Sequence, residues 1–180
     1  MDARSGWIWL SQGECVDQYG EFYDSFDFSE GRAMLRISAD SNYAAYVNGE
    51  LAYSGQYPDF PHYKIYDELD LTKYCRMGKN HLAIIVWFYG KGNMSYYPGR
   101  AALRYEIWQG ERLCCHSSAS TLSRQSRSYQ NGRARNITSQ MGFGFAYDCT
   151  REDAWMQGEL AGFRESRAIA QNMPLLPRPV

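Results

Sequence analysis

The sequence is short of the features that most often announce chemistry. It has three histidines, His62, His81 and His116. They stand far apart, and none falls in the HExxH spacing that puts two imidazoles on one helical face for zinc. No GxSxG elbow is present. Gly90 to Gly99, "GKGNMSYYPG", contains Gly-x-Gly but no third glycine leading into a helix, which excludes a dinucleotide or phosphate loop. The five cysteines (Cys15, Cys75, Cys114, Cys115, Cys149) are odd in number and show no CxxC pair. Free thiols are the simplest account of them, and no local signature marks a catalytic thiol. No apolar run is long enough for a bilayer; the longest, Leu82 to Phe88, has strand length. An excess of either charge is also lacking. The net charge of -1 argues against a phosphate-backbone binder and so against nucleic acid as partner.

What is present is aromatic. Fifteen tyrosines and five tryptophans lift the aromatic share to 16%. Such side chains suit pleated sheets, and their polar tips also suit sugar-binding surfaces. With 180 residues and 22% charge, the composition is that of a folded globular chain of one domain, or one domain with a tail. "MDARSGWIWL" lacks the continuous apolar core of a signal peptide, so the expectation is a cytoplasmic rather than a secreted protein.

The patterning is that of strands. In "RAMLRISAD", Ala33, Leu35, Ile37 and Ala39 share one parity and Arg36, Ser38 and Asp40 the other, as in a half-buried antiparallel strand. Tyr43, Ala45 and Val47 then alternate into Asn48-Gly49, a pair that tolerates the positive φ of a type I′ hairpin turn. "HLAIIVWFYG" reads as a central strand covered on both faces. Leu103, Tyr105 and Ile107 lead to a second hairpin at Gln109-Gly110. "YDELDLTKYCRMGKN" reads as a strand end and a short helical turn capped by Asp70 or Thr72. After Ser117 the chain turns Ser- and Arg-rich, and a long surface excursion is expected. Phe143 to Asp148 reads as one more strand. Many short strands between Gly and Pro turns predict an all-β antiparallel sandwich over residues 1–170, with a proline-bearing linker over 171–180.

Two loops carry the candidate binding residues. Tyr57, Asp59, Phe60, His62 and Tyr63 lie in "QYPDFPHYK", and Asn93, Tyr96 and Tyr97 in the Gly90 to Gly99 loop. Rings beside hydrogen-bonding groups fit the apolar faces and dense hydroxyls of a sugar. The same residues equally fit packing or docking against another domain. The carboxylates Asp67, Glu68 and Asp70 read as caps and turn residues, and Asp148, Glu152 and Asp153 as a salt-bridged edge. Neither set reads as a catalytic pair. No metal site or cofactor is expected, and no membrane partner.

Ala33 to Gly90, with its Tyr-x-x-Tyr-Val-Asn-Gly hairpin, "YD…DLT" segment and "GKN-x-LA" turn, resembles the N-terminal β-sandwich of bacterial α-L-rhamnosidases. It also resembles the wider galactose-binding-like jelly rolls attached to glycosidases. "GFAYDCTRE" is similar to a rhamnosidase segment with a Tyr-Asp-Ala-Arg motif, but Cys149-Thr150 stands where that motif has Ala-Arg, so no role is carried over there. The resemblance implies a non-catalytic module, because in such enzymes the acids that cleave the glycoside sit in a separate α/α-barrel. It implies the catalytic domain of the same polypeptide as partner, and a rhamnose-containing glycan as a candidate ligand. A purely structural interaction domain without sugar binding is the alternative.

Overall fold

A computed structural model describes residues 1–56, 62–94, 96–132, 135–138 and 140–179. The strands are β1 (Ile8–Trp9), β2 (Gln18–Phe28), β3 (Ala33–Asp40), β4 (Asn42–Val47), β5 (Glu50–Gln56), β6 (Lys64–Asp70), β7 (Gly78–Phe88), β8 (Ala102–Gln109), β9 (Arg112–His116), β10 (Leu122–Gln125), β11 (Asn136–Thr138), β12 (Gly142–Phe143), β13 (Arg164–Glu165), β14 (Arg167–Ala168) and β15 (Leu175–Pro177). One sheet runs β14-β1-β8-β3-β6-β15, with β9 also paired to β8; a second runs β13-β10-β2-β7-β4-β5. Leu35, Ile37, Leu103, Tyr105 and Ile107 of the first sheet meet Phe22, Val47, Leu82, Ile84 and Val86 of the second in one buried core. The expected β-sandwich is therefore the observed architecture. Helical structure among the described residues is confined to 3₁₀ turns at Thr72–Tyr74, Cys149–Arg151 and Trp155–Gln157.

Local sequence explains most of this. Alternation along β3 buries Ala33, Leu35 and Ile37 and leaves Met34 and Arg36 partly exposed. Strand β7 lies between β2 and β4, as its apolar run demands. Neither Asp70 nor Thr72 is the N-cap of the 3₁₀ turn: that position is Leu71, which makes no side-chain cap, while Asp70 just before it accepts from Thr72 N at 2.9 Å through Oδ1. Those bonds, first from the Thr72 hydroxyl and amide and then from Arg32, lower the Asp70 pKa to about 2.

The β4–β5 hairpin turns at Asn48 (φ 54°) and Gly49 (φ 83°), the two positive values that a type I′ turn requires. Asn48 does more than turn. Its amide Nδ2 donates to Asn80 Oδ1 at 2.8 Å and to Tyr74 O at 3.1 Å, and its Oδ1 accepts from His81 N at 3.0 Å. Asn80, fully buried, donates in turn to Arg76 O at 2.7 Å and Gly78 O at 2.8 Å. The Asn-Gly and Gly-Lys-Asn motifs thus meet in one satisfied polar hub that joins two turns.

Three further expectations need correction. The Ser/Arg stretch after Ser117 is not all a surface excursion. Leu122–Gln125 is a strand hydrogen-bonded to β2, and Ser123, Arg124, Ser126 and Ser128 are buried. Its polar side chains find partners inside the protein, so low hydrophobicity does not keep the segment at the surface. Phe143 to Asp148 is a strand only at Gly142–Phe143; Tyr147 forms a single bridge with Tyr129. In the second hairpin the turn falls at Gly110-Glu111, between paired Gln109 and Arg112. The 171–180 segment is extended, and Leu175–Pro177 lies parallel to β6.

Asn48→Ala should lower stability by about 2–4 kcal/mol in urea titration, because it strains the turn and strips buried Asn80 of a donor. Asn48→Gly keeps the backbone conformation and should cost less. Equal stability of both variants and the wild type would contradict the hub.

Candidate functional site

At one end of the sandwich the loop from Gly90 to Gly99 is drawn in by Asp40. Lys64 Nζ lies 2.9 Å from Asp40 Oδ2, and both side chains are buried. Tyr96 donates its hydroxyl to Asp40 Oδ1 at 2.5 Å, and Ser41 Oγ donates to the same atom at 2.9 Å. Burial, then the Asp40 charge, holds the Tyr96 pKa well above the ordinary phenol value. A Cβ on Gly99 would collide with the Asp40 carboxylate, which explains a glycine there. Tyr96 is therefore an interior anchor, packed on Tyr89 with ring centroids 5.3 Å apart. Asn93 is half-buried and its amide donates to Tyr96 O at 3.1 Å. Tyr63 is half-buried beside Lys64, while His62 and Tyr97 are exposed. Tyr57, Asp59 and Phe60 lie outside the described residues.

A second region contains Asp153, expected from the sequence in a salt-bridged edge, and joins it to residues not placed with it there. The outer face of the six-stranded sheet is covered by Tyr129 and by the chain at Trp155, Met156, Leu160 and Phe163. Its floor carries Glu21, which points away from the core and is nonetheless buried. Arg124 on the neighbouring strand answers it, with Nε 2.6 Å from Glu21 Oε2. The same guanidinium donates to Asp153 at 2.7 and 2.8 Å and to Ala161 O at 2.8 Å, and its carbon stands 4.6 Å from the Phe163 ring centroid. Burial works against the Arg124 charge; the Asp153 and Glu21 carboxylates outweigh it and raise its pKa. The bond to Arg124 correspondingly lowers the Asp153 pKa. Around this fork the rings stack. Tyr19 lies nearly parallel to Trp87 at 5.6 Å and to Tyr129 at 4.4 Å.

Between cover and sheet opens a cleft of about 240 Å³, lined in part by Ile85, Tyr129, Tyr147, Glu152, Trp155 and Gln157. Burial, then a hydrogen bond to Glu152, pushes the Tyr147 pKa up to about 12, so this phenol is a hydrogen-bonding group at neutral pH and not a base.

The architecture and these sites can be set beside known proteins. No family model matches the chain, and no curated protein matches it. Among solved structures, the GH78 family rhamnosidase of Bacillus sp. GL1 is 30% identical, with a TM-score of 0.88 over 99% of this chain and 20% of that one. This chain is similar to a β-sandwich portion of a GH78 rhamnosidase. It spans about a fifth of the length of that enzyme. The α-L-rhamnosidase from Dictyoglumus thermophilum is 17% identical, with a TM-score of 0.75 over 96% of this chain and 22% of that one, a likeness of fold. The apo lectin of Pleurotus ostreatus shares the fold more distantly, at 20% identity and a TM-score of 0.51 over 79% of this chain and 41% of that one.

In this rhamnosidase-like sandwich, the carboxylates weighed from sequence serve the structure. Asp67 accepts from Tyr43 at 2.6 Å and from Arg178. Glu68 pairs with Arg36 at 2.7 Å, and Asp148 caps the 3₁₀ turn through Thr150 N at 3.0 Å. Among the described residues no group of three His, Cys, Asp or Glu is arranged to hold a metal.

Arg124→Met should destabilise the protein by about 3–5 kcal/mol, since it leaves Glu21 buried without a counter-charge. Adding Glu21→Leu should recover most of that loss. Urea titrations of the single and double variants check this; a double variant no more stable than Arg124→Met would contradict it.

Proposed function

We propose that the chain is a non-catalytic accessory module of a larger α-L-rhamnosidase-like glycoside hydrolase, packing against the catalytic domain of the same polypeptide and contacting glycan. The observation that carries this reading is the 30% identity to a GH78 rhamnosidase across 99% of this chain but only 20% of the enzyme. The bonded, capping or salt-bridged state of Asp67, Glu68, Asp70, Asp148 and Asp153 supports it, because a glycosidase needs two carboxyls free to face a scissile bond.

A surface suited to a neighbouring domain supports the packing role. Phe145, Met141 and Ile137 are 72%, 69% and 55% exposed, all within one short stretch. A Cβ on Gly144 would touch Ile137 at 3.8 Å, so Ile137 lies beside the backbone next to Phe145. Exposed apolar side chains gathered this way mark interaction surfaces. The same observation favours the second reading, a structural interaction domain that binds no sugar.

The purified chain should release no nitrophenol from an aryl α-L-rhamnoside above the buffer rate. Turnover that Glu152→Gln abolishes would overturn the non-catalytic reading.

A further inference from the structure

Two cavities flank Arg127 on the surface formed by β10 and the cover. One, of about 440 Å³, is lined in part by Tyr129, Gln130, Asp148 and Arg151. The other, of about 540 Å³, is lined in part by Ser11, Gln12, Gly162 and Arg164. Both include Gln125 and Arg127, so they form consecutive parts of one groove along the strand. Each lies in the roughly 300–1,000 Å³ range of small-molecule sites, but the lining is polar where such sites are mostly apolar.

The sheet leaves this strip open. Strand β13 pairs with β10 only at Leu122 and Ser123, so no strand flanks Gln125 on that side among the described residues. Arg124 lies beneath, buried and neutralised by Glu21 and Asp153, and gives the groove a fixed floor, so the cationic character falls to Arg127 and Arg164. Arg127 lies across Gly162, where a Cβ would stand 2.5 Å from its Nη2. Glycine at that position lets the guanidinium lie along the groove. Arg127 is loosely held, at 3.4 Å from Asp153 and about half exposed. Arg151, paired with Asp148 at 3.1 Å, is still 67% exposed. Arg164 is exposed and makes no ion pair among the described residues.

We propose that this groove binds a short oligosaccharide bearing carboxylate groups, a uronate-containing glycan, with Arg127 and Arg164 receiving the carboxylates. Guanidinium forks match carboxylates geometrically. The amides of Gln12, Gln125 and Gln130, with the Ser11 hydroxyl, supply the donors and acceptors that sugar hydroxyls require, and Tyr129 supplies a ring. A nucleic acid is a poorer match, because the groove offers one aromatic ring where single strands stack on several. The inference rests on the glycan-contacting reading above and goes beyond it by naming place and ligand class.

The test is calorimetric titration of the chain with tetragalacturonate, and with the same oligosaccharide after reduction of its carboxyls. The acidic form should bind at least about tenfold more tightly. Arg127→Gln and Arg164→Gln, both surface changes, should each weaken it by about tenfold or more with melting temperature unchanged, and raising salt from about 50 to about 500 mM should weaken it further. Equal affinity for both forms would overturn the acidic ligand and leave glycan contact standing. Failure of both forms to bind at millimolar concentration would overturn the groove as a site, while the accessory reading would still rest on the rhamnoside assay. Equal or tighter binding of inorganic polyphosphate or single-stranded DNA would overturn it in favour of non-selective attraction of polyanions.

Discussion

The arrangement of the outer half of this molecule depends on one buried guanidinium. Glu21 sits on the face of the sheet that a plain two-layer sandwich would leave in water, and Arg124 lies opposite it in register. Removing two charges from water is costly, and the cost is offset only when further bonds complete the set. Asp153, the Ala161 carbonyl and the Phe163 ring complete it here. All three belong to the cover. The ion pair is thus satisfied only when residues 148–163 lie down on the sheet, and those residues are held there by it.

That constraint shapes every surface to which a role is given above. The cleft beside Tyr147, the groove along β10 and the apolar side chains around Phe145 exist because a third layer is fixed over a two-sheet core. Elsewhere the sandwich uses the same device of polar groups buried in complete sets. Asp40 gathers Lys64, Ser41 and Tyr96 and so ties a long loop to the end of the core. Asn48 and Asn80 join two turns. Each set joins segments distant in sequence, and such buried networks are rigid when every member is satisfied.

The sequence displayed what is local. Alternation in β3 and β4, the apolar run of β7 and the Asn-Gly turn are decided within a few residues, and they were legible. The hairpin and Gly-Lys-Asn motifs also carried the resemblance to rhamnosidases. What was hidden is non-local and polar. Arg124 meets Glu21 across 103 residues and Asp153 across 29, and no periodicity of apolar side chains announces a strand built from Ser and Arg. Tyr96 was read from the sequence as a candidate binding ring; in the structure the ring is buried, and its hydroxyl and Asp40 decide its place.

The central claim is that the cover is a folded layer of the protein, bound as firmly as the sheet beneath it. Amide hydrogen exchange tests this directly. The amides of Gln130, Asp148, Gly158 and Phe163, each bonded to a backbone carbonyl, should exchange far more slowly than in a free peptide and slow together with those of β2 and β7. Free-peptide rates at those four amides, with β2 and β7 protected, would contradict the account.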